Sequence, residues 1–161
     1  MPTTDPHRAF LRHTLATLAY RAEKPLRSSP ENFGATRAGP TTRSAAEILA
    51  HLGDLLEWAH WHAKGKHVWK ESPPQVWVED VARFYAAIGA LDDYLASDAP
   101  LNCPPERLFQ GPIADALTHV GQLATLRRLA GSPVRGENYF RADIVAGRVG
   151  REQSSVRVEF D

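Results

Sequence analysis

The sequence predicts an all-α fold, a four-helix bundle followed by an irregular C-terminal tail. Three observations carry that prediction. Four stretches repeat their apolar residues at helical spacing, clusters of Pro, Gly, Ser and Asn separate them, and no strand-like alternation lies between them. At 161 residues the chain reads as one domain, 1–161, with the bundle over about 5–131 and an extension over 132–161.

The first stripe is Phe10, Leu11, Thr14, Leu15, Leu18 and Ala19, ended by Pro25 and the Ser28-Ser29-Pro30 turn. Residues 27–43 then form a Ser-, Pro-, Gly- and Thr-rich loop, longer than a usual helix connection and so either functional or a cover over something. Thr42 or Ser44 can cap the second helix, and Glu47, three residues after Ser44, completes a capping box. Ile48, Leu49, Leu52, Leu55, Leu56 and Ala59 form its apolar side, which His51 and Asp54 border.

Residues 63–74 break the periodicity, and Ser72 before two prolines predicts the start of helix three, which buries Val81, Phe84, Tyr85, Ile88, Leu91 and Leu95. Eleven or so extended residues reach at most ~35–40 Å, and a helix of about 20 residues is ~30 Å long. Such a linker can carry the chain back along the bundle, making helices two and three parallel with a long crossover. Pro112 fits the first position of helix four, which runs through Ala130 and closes with Gly131 and Pro133. In the tail, a weak helical or irregular piece lies around 137–144. Val156 to Phe160 alternates like a short strand that needs a partner, on this domain or on a second subunit.

Composition narrows the function classes. Lys plus Arg and Asp plus Glu number nineteen each, so no basic surface points to nucleic acid or to a membrane face. Cys103 is the only cysteine, which excludes an internal disulfide and fits a reducing compartment. The N-terminal Met1-Pro-Thr-Thr-Asp-Pro has no apolar leader, and no run approaches a bilayer span of about 20 residues. The expectation is a cytoplasmic protein.

The chemistry gathers on helices two and four. Asp115 and His119 are spaced i, i+4, which puts their side chains on one helix face roughly 5–6 Å apart at Cβ. His51 lies at or near the inward face of helix two. Two imidazoles and a carboxylate leave coordination positions open, as in catalytic zinc and non-haem iron or nickel sites. Each residue also has an ordinary reading. His51, near His60 and His62, can be an interfacial histidine, and Asp115 in a first helical turn is favoured by the macrodipole without a metal. His119, among Leu117, Val120 and Leu123, needs a polar partner whichever reading holds. Asp54 and Gln122 are placed to orient the ligands. His67, Trp69 and Trp77 can wall the open face, and a tail arginine among Arg135, Arg141, Arg148 and Arg151 can clamp an anionic substrate.

The order His51-Leu-Gly-Asp-Leu-Leu in helix two, with His119-Val-Gly-Gln-Leu far downstream, resembles the DinB-like (YfiT-like) family of metal-dependent bundles. The resemblance covers roughly 5–131. It implies a ligand from helix two, His51, and an i, i+4 histidine pair from helix four, whose second member is His119 and whose first position is held here by Asp115. Replacing a neutral imidazole by an anion favours harder metals somewhat, and the same replacement fits a weakened or abandoned site. The implied function is an enzyme that activates water or a low-molecular-weight thiol at a divalent metal (Zn, Ni or Fe), for transfer to or hydrolysis of a small electrophile. A homodimer is also implied. The alternative is a non-catalytic bundle that binds a metal or a small ligand.

Overall fold

Helix α1 spans Pro6–Leu26, α2 Ala45–Ala63 and α3 Trp77–Ala96. The fourth rod is composite: a short α4 (Pro105–Leu108), one wide π turn (Phe109–Ile113) and α5 (Ala114–Leu129). The computed structural model describes residues 5–160; the first four residues of the N-terminal segment read above, and Asp161, lie outside them. Among the described residues no helix is long and apolar enough to cross a membrane.

Helix α3 packs on both α1 and α2, and so does α5, leaving α1 and α2 diagonally opposite. Directions follow from cross-helix contacts. Arg83 of α3 donates to the Ala50 carbonyl, Asp54 and Glu57 of α2, and further along the His60 ring lies 5.4 Å from Tyr94. Helices α2 and α3 are therefore parallel, as the linker length predicts. Arg8 of α1 meets the last turn of α3 and Arg12 pairs with Asp92 one turn earlier, so α1 and α3 are antiparallel. At the end of α2, the Asn102 N–H donates to the Ala63 carbonyl, which places that end beside the start of the fourth rod. Helices α2 and α5 thus run in opposite directions, and the first half of α2 faces the middle and end of the fourth rod.

The helical stripes supply the core. Leu11, Leu15 and Leu18 meet Leu49, Leu52, Leu56, Phe84, Ile88, Leu91, Ile113 and Leu123 in one cluster. Fully burying a side chain of this size stabilises by ~1.5–3 kcal/mol. Phe10 departs from the prediction: it is 63% exposed, because Leu11, Leu15 and Leu18 fix the inward direction of α1 and Phe10 falls to its flank. Ser44, rather than Thr42, caps α2: its side chain accepts from the Glu47 N–H, while Glu47 accepts from the Ser44 N–H, closing the capping box.

Two predicted helix starts are corrected. Ser72-Pro73-Pro74 stays extended and α3 begins at Trp77, because Asp54 claims both the Ser72 N–H and its hydroxyl. Asp80 closes the new start by accepting from the Gln75 N–H. Pro112 does not open the fourth helix but sits inside the π turn. Lacking an N–H for the Leu108 carbonyl, it widens the turn by a residue instead of breaking the rod. The predicted close of that rod holds: Gly131 sits just past the helix at φ +73°, in the left-handed region open to glycine.

Two buried arginines close helix ends. Arg127 donates to the carbonyls of Pro25, Arg27 and Ser132, tying the ends of α1 and α5 together. Arg8 serves the end of α3, donating to the carbonyls of Ser97 and Ala99. Their charge meets the negative end of each helix dipole as well as the unpaired carbonyls.

The tail folds back on this domain. Gly136–Glu137 (β1) and Glu159–Phe160 (β2) pair antiparallel, with Glu137 opposite Glu159. Between these like charges lies Lys24 of α1, its Nζ 2.8 Å from Glu159 and 3.3 Å from Glu137, while the Tyr20 hydroxyl donates to Glu137 at 2.7 Å. A 3-10 turn at Tyr139–Arg141 places the Tyr139 ring under Arg21, at 3.8 Å. Replacing Arg127 by Met is expected to lower stability by about 2–4 kcal/mol, since it strands several buried carbonyls. A urea titration with unchanged slope and a lower midpoint checks this; a midpoint within error of the parent counts against the capping role.

Candidate metal centre

The antiparallel pairing of α2 with α5 brings together the three residues singled out on sequence. One ligand atom each from His51, Asp115 and His119 lie within 4.8 Å of one another. The Asp115 carboxylate bridges the imidazoles, one oxygen 3.5 Å from His51 Nε2 and the other 3.3 Å from His119 Nδ1. The two rings lie 4.7 Å apart at their centroids, tilted by 58°. The imidazoles are shielded, with side-chain exposures of 15% for His51 and 11% for His119, whereas Asp115 is 45% exposed. The site is therefore a rim position with two buried walls and one wet ligand.

The continuity of the fourth rod changes the reading of Asp115. Ile113 and Ala114 both have right-handed helical angles, so the backbone enters α5 from the preceding turns rather than from a free end. The first-turn N–H groups that would make a macrodipole site for an anion are not exposed there. Asp115 thus keeps the two imidazoles as its partners and loses the helix-terminus explanation.

His119 has a defined tautomer. Its Nδ1 lies 2.8 Å from the Asp115 backbone carbonyl, and its Nε2 lies 3.2 Å from a guanidinium nitrogen of Arg43. A guanidinium only donates, so Nε2 is the acceptor and Nδ1 carries the proton toward the carbonyl. A backbone carbonyl fixing one ring nitrogen while the other keeps its lone pair is the usual preparation of a histidine ligand. The donor set therefore fits a divalent ion of intermediate hardness, with Arg43 standing at one of its lone pairs.

Burial holds the His51 pKa below its ordinary value, and the positive field of Arg43 and then His119 adds to the effect, against the opposing pull of Asp115. His60 and His62 are lowered too, burial being the larger cause in each. Trp69 from the crossover presents its ring to His51 at 5.8 Å and 73°. It continues into Trp58, 5.6 Å away, around which His62 and His67 gather. Two cavities flank Arg43. One, of about 370 Å³, is polar and includes Arg37, Glu47, His51 and Ser72 in its wall. The other, of about 570 Å³, is bounded by Ala38, Ile48, His119, Gln122 and Leu126.

Other expected contributors lie elsewhere. Asp54 is buried but orients no ligand, because its oxygens accept from Ser72 and from Arg83 at 2.5 Å. Gly53 before it has the same explanation: a Cβ there would stand 2.8 Å from Nη1 of Arg83, whose guanidinium four hydrogen bonds keep in place. Gln122 is exposed on the cavity wall beside His119. Trp77 packs edge-on against Phe33, at 5.3 Å, away from the trio. In the tail, Arg148 pairs with Asp143, Arg135 with Glu159, and Arg151 lies over Tyr85; none of these, nor Arg141, lines either cavity, and the arginine at the site is Arg43. Sequence reading passed over Arg43. The signal was a cation immediately before an N-cap, where the helix dipole disfavours one.

Against protein-family models, curated proteins and solved structures, the chain finds no match. The centre stands on its geometry.

A pH dependence follows for the metal-free protein. A histidine whose folded pKa is lowered takes up fewer protons than in the unfolded chain, so stability is full above the unfolded value near 6.5 and falls as pH drops below it. The urea midpoint is expected to fall between about pH 7 and pH 5, and less so in His60→Gln. A profile flat over that range, or identical in the two proteins, would contradict burial as the cause.

Proposed function

We propose that this chain is a metal-dependent enzyme of the DinB-like kind, holding Zn, Ni or Fe through His51, Asp115 and His119. One observation carries the reading: three good ligands from two antiparallel helices converge within 4.8 Å at the junction of two cavities. The chemistry such an ion supplies when bound is to lower the pKa of water or of a thiol. The chain's own residues do the rest. The Asp115 carbonyl keeps His119 in one tautomer, its carboxylate draws the two imidazoles together, and the Trp69 ring covers His51 from one side. The larger cavity, with Ala38, Ile48 and Leu126 in its wall, suits the apolar part of a small electrophile. A single free thiol, Cys103, fits work in the cytoplasm, and the second reactant is a low-molecular-weight thiol or water.

The second reading is a non-catalytic bundle that binds a metal or a small ligand. Arg43 favours its small-ligand form, because the guanidinium already occupies the His119 lone pair that a metal would need.

Elemental analysis of tag-free protein is expected to find about one equivalent of transition metal per chain, lost in Asp115→Ala and in His119→Ala. Substoichiometric metal, unchanged by either substitution, would remove the enzyme. With metal present, consumption of low-molecular-weight thiols is followed over a panel of small electrophiles. Inertness across the panel leaves the binding bundle standing. We expect a homodimer as well, with no nucleic-acid partner; a monomer mass independent of concentration in sedimentation would refute the dimer.

A further inference from the structure

Arg43 is exposed, yet its guanidinium points at a neutral ring nitrogen. Among the described residues it pairs with no carboxylate, and its only hydrogen bond is the one from Nη1 to His119 Nε2. Its neighbour Arg37 is different, with both terminal nitrogens held by Glu47. Arg43 also borders both cavities, so its unused N–H groups open on the cleft. A guanidinium is a planar fork matched to two oxygens of one anion, and a single imidazole lone pair uses only one prong. An arginine with a one-point neutral acceptor, between two cavities and beside a ligand trio, keeps a second prong free to hold an anion.

We propose that Arg43 is the anion-holding arm of the site and that the substrate carries a carboxylate. The inference rests on the metal reading above. With an ion on the His119 lone pair the guanidinium would be free of it, and its fork would hold the carboxylate of a small molecule whose apolar part lies toward Ile48 and Leu126. Metal and anion therefore bind cooperatively: the first frees the arm that the second needs. Arg43 is a positioning residue here. It sets which small molecules reach the ion and moves no proton.

The test uses Co(II), whose visible absorption reports its ligands, with acetate as the carboxylate probe. Purified full-length wild type, Arg43→Gln and Arg43→Lys are each freed of metal and titrated with Co(II), and then with acetate. Circular dichroism melts confirm that the variants fold. Arg43→Gln is expected to take Co(II) at least as tightly as wild type, since its competitor for His119 is gone. Its acetate midpoint is expected to rise about tenfold, with Arg43→Lys intermediate because it keeps the charge without the fork. Equal acetate midpoints in wild type and Arg43→Gln, with normal Co(II) spectra, would overturn the anion arm alone. Weaker Co(II) binding by Arg43→Gln would overturn the displacement step. No Co(II) spectrum in wild type would remove the metal centre itself, and this proposal with it.

Discussion

Arg83 is the joint on which the arrangement turns. From α3 it reaches three successive levels of α2, the Ala50 carbonyl, Asp54 and Glu57, and those contacts lock the two helices side by side in the same direction. Parallel neighbours cannot be joined by a tight turn, so residues 64–76 must travel the length of the bundle. The same carboxylate that grips Arg83 also grips Ser72 on that crossing segment. One ionic cluster around the buried Asp54 therefore fixes both the helix direction and the path of the connection. Breaking such a buried pair from one side leaves an uncompensated charge and costs about 3–5 kcal/mol. Trp69 is carried to His51 by that path, and α5 is left with the remaining face of α2.

Much of this was legible because hydrophobic periodicity is local. The stripes of α1, α2 and α3 need only the chain's own spacing, and the Ser44 box needs only three residues. The parallel pair was legible from reach, since linker length and helix length are both read from the sequence. The missed start of α3 has a long-range cause. Ser72-Pro-Pro is a sound local start signal, and a carboxylate eighteen residues earlier overrules it. Phe10 shows the same limit on a smaller scale, because a stripe defines an arc and only the neighbouring helices decide which edge of the arc is covered.

The trio divides along the same line. Asp115 and His119 meet through helical spacing, which the sequence contains, and His51 joins them through the packing of α2 on α5. Arg43 could not be placed, because its contact spans 76 positions and depends on α2 and α5 being antiparallel neighbours. Asp54 was assigned to the histidine one turn away when its actual partner sits on another helix. Short-range neighbours were found, and long-range ones were mistaken for local pairs.

The π turn has a consequence for phase. Leu108 and Ile113 are both fully buried although five positions apart, a spacing that a regular α-helix would rotate about 140° out of line. The wide turn absorbs the surplus residue, and downstream the buried positions Ile113, Ala116, Val120 and Leu123 return to ordinary threes and fours. The rod thus carries two frames. Residues before the turn and residues after it both pack on α1 and α2, each set in its own frame. A single inserted position, confined to one proline-bearing turn, lets the ligand face be aimed independently of the end of the helix that anchors it.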